Sequence, residues 1–259
     1  MSYVTRLTNV LDEHLGWHRA RLKFMARFIL SALQLTTSNL RRIAVVLKAE
    51  VAEASNYRRI RRFLKDYSVD YTAVSQLLYD LIPQDPPYVL VLDRTEWHFG
   101  STPVNVLMIG IAHRGVAFPI AWTVLSHGGG SGHTEHIAVL QEGLQVVDAE
   151  EVEALVADRE FISTAWLCRL QAENIPFAIR LRSNRRVFTG ENDSENGSEN
   201  DSENGATKGP SLPVKMYARG LSKGETRILG TRQLQGNGDL IVEVQIVLRH
   251  CTSTDWGAE

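Results

Sequence analysis

Two short segments pair residue types that can do chemistry. "YVLVLDRTEW" at 88–97 and "VEALVADREF" at 152–161 each run from apolar residues into Asp-Arg, followed by Glu beside an aromatic. Functional groups of open sheets collect at the carboxyl ends of central strands. If the two strands are neighbours, the carboxylates of Asp93 and Asp158 converge on a common ion. Such hard oxygen donors suit Mg2+ or Mn2+, which keep several waters and bridge to substrate phosphates. Two such ions roughly 3.5–4 Å apart would activate an attacking oxygen and stabilise a leaving oxygen in phosphodiester displacement. One Asp at a strand end is more often a cap or a surface residue, so it is the matched pair that points to a metal. Arg94 and Arg159 have two possible uses: contact with phosphates, or ion pairs with Glu96 and Glu160.

Other candidates rank lower. His133 and His136 lack an acidic or Cys partner spaced for zinc. Gly128, Gly129, Gly130 and Gly132 lack the Lys-Ser/Thr of a phosphate-binding loop. Trp97, Trp122 and Trp166 read as core residues rather than base-stacking platforms. Cys168 and Cys251 are too few for a disulfide scaffold or a cysteine-rich zinc module.

The elements that must position the Asp pair follow from periodicity. Apolar strands are expected at 88–92, 103–111 and 116–125, with "HRG" at 113–115 turning a hairpin. A helix at 134–147, a strand at 152–157, a helix at 163–173 and a strand at 176–181 complete a mixed sheet with helices packed on it. Further strands alternate after residue 211. Between them, "ENDSENGSENDSENG" at 191–205 has no apolar residue to bury and reads as a disordered acidic repeat.

Residues 3–67 read as helices instead. Leu22, Met25, Ile29 and Leu33 share one helical face, and Leu40, Ile43 and Leu47 follow the capping candidates Thr36, Thr37 and Ser38. A helix capped by Ser55 would align Tyr57, Ile60, Leu64 and Tyr67 on an apolar stripe. Arg58, Arg62 and Lys65 then lie opposite, flanked by Arg59 and Arg61. With Arg41 and Arg42 these are the candidate contacts to a nucleic-acid backbone, in a helix-turn-helix-like arrangement. The charge balance agrees: residues 1–67 hold 13 Lys or Arg against 5 Asp or Glu, within a chain of net charge -2. A solvated helical face is the competing explanation.

"LDRTEW", "GGGSGHTEHIAVLQ", "EALVADREF", "LCRLQAENIPFAIRLRSN" and, at the helical start, "SNYRRIRRFL" together resemble insertion-sequence transposases of the cut-and-paste, DDE type. The resemblance implies an RNase H-like catalytic domain in which Asp93 and Asp158 match the first two catalytic carboxylates. It also implies Mg2+-dependent (or Mn2+-dependent) cleavage at transposon ends and strand transfer into target DNA by a homodimer. The family's third carboxylate belongs to a helix carrying Tyr, Arg, Glu and Lys, which is not found before Glu259, so a chain truncated ahead of the catalytic Glu is expected. The alternative is a non-catalytic DNA-binding remnant or inhibitor.

The expected fold class is thus α/β: an all-helical DNA-binding domain at 1–82, an RNase H-like mixed sheet with flanking helices at 83–184, and a partial β-rich insertion at 185–259. At 259 residues and 44% hydrophobic content the chain can bury a substantial core. No apolar run approaches the roughly 20 residues that span a bilayer, and no signal peptide is read at the start, so a cytoplasmic protein without a membrane partner is expected.

Overall fold

The computed structural model describes residues 2–48, 50–99, 101–188, 211–222, 224–235 and 241–249. Two compact units divide the chain, Met1–Pro83 and Gln84–Glu259.

The first unit is helical: α1 (Tyr3–Leu15), α2 (Arg19–Leu35), α3 (Leu40–Leu47), α4 (Glu53–Asp66) and α5 (Tyr71–Asp80). One face of α2 buries Leu22 and Ala26 with Leu11 and Leu15 of α1 and Leu77 of α5. Its other face places Phe24 against Ile43, Ala44 and Leu47 of α3 and Ile60 of α4. Two apolar faces on one helix explain how a short helical unit closes two small cores. Helix α5 lies beyond the helical stretch expected from periodicity.

The helix ends and faces differ from expectation in several places. Asn39, not the preceding hydroxyl residues, caps α3, its Oδ1 accepting from the N–H groups of Arg41 and Arg42. Thr36 instead ends α2 in the left-handed region, φ 47°. Helix α4 begins two residues before Ser55, with Ala52 as its N-cap. Leu33 and Leu64 are exposed, at 67% and 51%. The inward stripe of α4 keeps the expected Tyr57, Ile60 and Tyr67 and adds Asn56 and Phe63, with Phe63 rather than Leu64 packing on the core. Asn56 is 2% exposed, and its Nδ2 donates to the carbonyls of Ala44, Lys48 and Val51. A polar side chain can sit there because it satisfies the backbone of the α3–α4 turn.

The second unit is built on a five-stranded mixed sheet in the order β3-β2-β1-β4-β5. Its strands are β1 (Tyr88–Phe99), β2 (Thr102–His113), β3 (Val116–Leu125), β4 (Val152–Ala157) and β5 (Phe177–Ile179). The first three pair antiparallel; β4 runs parallel to β1 and β5 parallel to β4. Arg114 and Gly115, at φ 49° and 79°, turn β2 into β3, the double positive φ of a tight hairpin. Pro119 is tolerated because β3 is an edge strand. It pairs with Gly110 at a register shift, where a Cβ on Gly110 would lie 2.9 Å from the carbonyl oxygen of Phe118.

Helices α6 (His133–Gly143) and α7 (Thr164–Ala172) follow β3 and β4. Val139 and Leu140 of α6, Trp166 and Leu167 of α7, and Leu90, Leu107, Ile109 and Leu155 of the sheet are all buried. The remaining described elements are 3-10 turns at Ala149–Glu151 and Arg159–Phe161, short β6 (Arg186–Phe188) and β7 (Ser211–Pro213), α8 (Val214–Tyr217), and the hairpin β8 (Thr226–Gln235) and β9 (Ile241–Arg249). Gln171 of α7 donates to the Glu243 carbonyl at 2.8 Å, joining helix and hairpin. The acidic repeat at 191–205 lies outside the described residues.

Candidate functional site

Strand β1 does not stop at Leu92. It continues to Phe99, pairing with β2 from Leu90↔Ile111 to Phe99↔Thr102. Its apolar run ends where its second neighbour ends: the β1–β4 ladder closes at Leu92↔Ala157. Beyond that point one flank of β1 is no longer covered, and polar residues are admissible.

Asp93 and Asp158 are the next residue on each strand. The register therefore sets them on neighbouring strands, which lie about 4.8 Å apart. Asp158 keeps extended backbone angles, φ -81° and ψ 169°, before the chain enters a 3-10 turn at Arg159–Phe161. Both aspartates are exposed. The carboxylate of Asp93 accepts from the backbone N–H of Arg94 at 2.8 Å, and that of Asp158 accepts from Arg180 at 3.2 Å.

The two flanking arginines differ in use. Arg94 donates to Glu160 at 3.0 Å, Glu96 at 3.3 Å and the Oδ1 of Asn105 at 3.1 Å. Its side chain is 15% exposed, and the bond to Glu160, opposed by some desolvation, raises its pKa further. Of the two uses left open by the sequence, Arg94 makes the ion pairs. Arg159 is exposed and has no carboxylate within salt-bridge distance among the described residues.

Asn105 had no signal in the sequence, since one Asn within a strand pattern carries no motif. It is 1% exposed, and its Nδ2 donates to the carbonyls of His127 and Gly129 at 3.2 and 2.9 Å. Glu160, Arg94, Asn105 and the Gly-rich loop thus form one hydrogen-bonded chain beside the Asp pair.

The same loop leads into α6. Glu135 accepts from the Gly132 N–H at 2.6 Å and pairs with His127 at 2.8 Å. That backbone bond holds the carboxyl below its usual range, and Glu135 in turn raises the His127 pKa. His136 meets Ser131 Oγ at 2.8 Å and lies edge-on to Phe161 and Trp166. Burial pushes its pKa down to about 4. Of the three tryptophans expected in the core, Trp166 is fully buried, but Trp97 is 57% exposed, on the stretch of β1 that outruns β4.

Among the described residues no group of three or more His, Cys, Asp or Glu is placed to hold a metal. The candidate donor set is therefore the Asp93–Asp158 pair. Two exposed carboxylates fit a hydrated hard cation that keeps most of its waters, and do not fit a closed all-protein cage.

In the helical unit Arg41, Arg42, Arg58, Arg59, Arg61, Arg62 and Lys65 are all exposed. Arg58, Arg62 and Lys65 share the face of α4 opposite its inward stripe. Arg41 and Arg61 lie over the Tyr57 ring at 5.3 and 5.9 Å, and Arg59 over Phe24 at 5.1 Å, contacts that restrict their guanidinium groups.

No protein-family model matches the chain, and no curated protein is similar to it in sequence. Among solved structures it is similar to a chain of a simian T-cell lymphotropic virus intasome in complex with PP2A regulatory subunit B56 gamma. That likeness has 12% identity and a TM-score of 0.29, over 47% of each chain. It is also similar to the large terminase of a thermophilic bacteriophage, with 10% identity and a TM-score of 0.26, over 39% of this chain and 25% of that one. The match thus spans about half the length of the first and a quarter of the second.

Proposed function

We propose that the chain is a DNA-processing enzyme of the DDE transposase type, with an RNase H-like core and an N-terminal helical DNA-binding unit. The observation that carries the reading is the β1–β4 register, a parallel central ladder whose last pair, Leu92↔Ala157, is followed on each chain segment by an aspartate, Asp93 and Asp158. Three antiparallel strands followed by two parallel ones, in the order β3-β2-β1-β4-β5, are compatible with the RNase H-like arrangement. Asp93 and Asp158 would hold Mg2+ or Mn2+, which supplies Lewis-acid stabilisation of phosphoryl oxygens and lowers the pKa of bound water. Arg180 limits charge repulsion between the carboxylates by pairing with Asp158. The Arg94 network fixes the loop that borders the pair, and Arg159 is free to meet a phosphate. Arg58, Arg62 and Lys65 of α4 would contact the duplex backbone, with the protein acting as a dimer on transposon ends and target DNA.

A second reading, a DNA-binding protein without catalysis, is favoured by the lack of a three-carboxylate cluster among the described residues. Labelled duplexes carrying the DNA that flanks the coding frame, incubated with Mg2+, separate the two. Cleavage and joined products that vanish in both Asp93→Asn and Asp158→Asn, with DNA binding retained, support the enzyme. Binding without cleavage in the wild type supports the second reading, and absence of both rejects the pair.

A further inference from the structure

A cleft of about 120 Å3 opens in the helical unit between α2 and the α3–α4 turn. Four cations line it: Lys23 and Arg27 from successive turns of α2, Lys48 from the turn, and Arg59 from α4. Phe24 and Asn56 contribute the floor. No carboxylate pairs with Lys23, Arg27 or Arg59 among the described residues; Lys48 reaches Glu50 only at 4.0 Å. Four like charges around one small cavity repel each other, and nothing in the fold requires them there: the core beneath is apolar and Asn56 already satisfies the turn. Stacking on Phe24 holds the Arg59 guanidinium beside the opening. The cleft is open to solvent and large enough to admit a phosphate group together with water.

We infer that this cleft is a seat for a backbone phosphate of duplex DNA, fixing the register of α4 on the duplex. The inference rests on the DNA-binding reading above and adds α2 to the contact surface, through Lys23, Arg27 and Lys48. A phosphate at the flank of α4, beside Arg59, is bound without regard to base sequence, so the cleft contributes affinity and salt dependence rather than specificity.

The full chain is titrated with a fluorescent duplex over a range of salt concentrations, comparing wild type, Lys23→Gln/Arg27→Gln and Arg58→Gln/Arg62→Gln. Glutamine preserves the aliphatic stems, and an unchanged melting temperature verifies the fold. The cleft variant is expected to bind roughly tenfold more weakly at low salt, with the log–log salt slope reduced by about 1, for the one phosphate contact removed. A slope equal to wild type, while Arg58→Gln/Arg62→Gln lowers it, overturns the cleft and leaves DNA binding by α4 standing. A wild type that binds no duplex overturns both. Inorganic phosphate at matched ionic strength should weaken DNA binding more than chloride does in the wild type, and no more than chloride in Lys23→Gln/Arg27→Gln; an equal effect of phosphate on both proteins would overturn the cleft as the seat.

Discussion

His136 shows what burial does to one titratable side chain. It is 2% exposed between Phe161, Trp166 and Ser131, and burial lowers its pKa to about 4; Glu135 opposes that shift and His133 adds to it. The folded protein therefore binds the His136 proton only near pH 4, whereas the unfolded chain binds it near 6.5. The stability from keeping His136 neutral is complete above pH 6.5 and is lost as pH falls toward 4, by roughly 3 kcal/mol across the window. Urea midpoints between pH 4 and 7 should fall steeply in the wild type and much less in His136→Phe; parallel curves would exclude this origin. Nothing in the primary structure signals this, because a His three residues into a helix looks the same whether its ring is buried or solvated. The strand-end positions of Asp93 and Asp158 were legible for the opposite reason: an apolar run that ends on a carboxylate is a local signal, and it occurs twice. Asn105 and Arg180 were not, since their importance lies in partners 22 to 24 residues away.

Element positions were read well where one period dominates and poorly where two faces compete. Strands β2 to β4 and helix α7 fall close to their expected places because each has one apolar pattern. For α4 the expected stripe holds at Tyr57, Ile60 and Tyr67 but not at Leu64, in whose place tertiary packing selects the adjacent Phe63. Phe63 stacks on Tyr67 at 5.2 Å and meets Phe24 at 4.9 Å, while Leu64 points to solvent. Phe63→Ala should lower stability by about 2–3 kcal/mol, against roughly 0.5 kcal/mol or less for Leu64→Ala, by chemical denaturation. Equal losses would mean that the stripe read from the sequence is the buried one. The length of β1 was missed on similar grounds: apolarity reports coverage, and β1 is covered on both flanks only as far as β4 extends.

At the scale of the molecule, the charge imbalance legible in the sequence, +8 over residues 1–67 in a chain of net -2, falls within one compact unit. Two units with separate cores predict departure from one two-state transition: by calorimetry the total enthalpy should exceed the van't Hoff enthalpy. Phe63→Ala should then move one component and acidification through the His136 window the other; a single transition with matching enthalpies would show that they unfold as one. From Asp93 to Phe99, strand β1 is bonded to β2 on one side, and no other ladder reaches it among the described residues. An unmated strand margin invites lateral growth of the sheet from one molecule to the next, and ionisable residues such as Glu96 and His98 discourage it. The acidic and basic groups along that border thus oppose edge-to-edge pairing whatever they do for chemistry, and exchanging them for apolar residues should promote association between molecules through this margin.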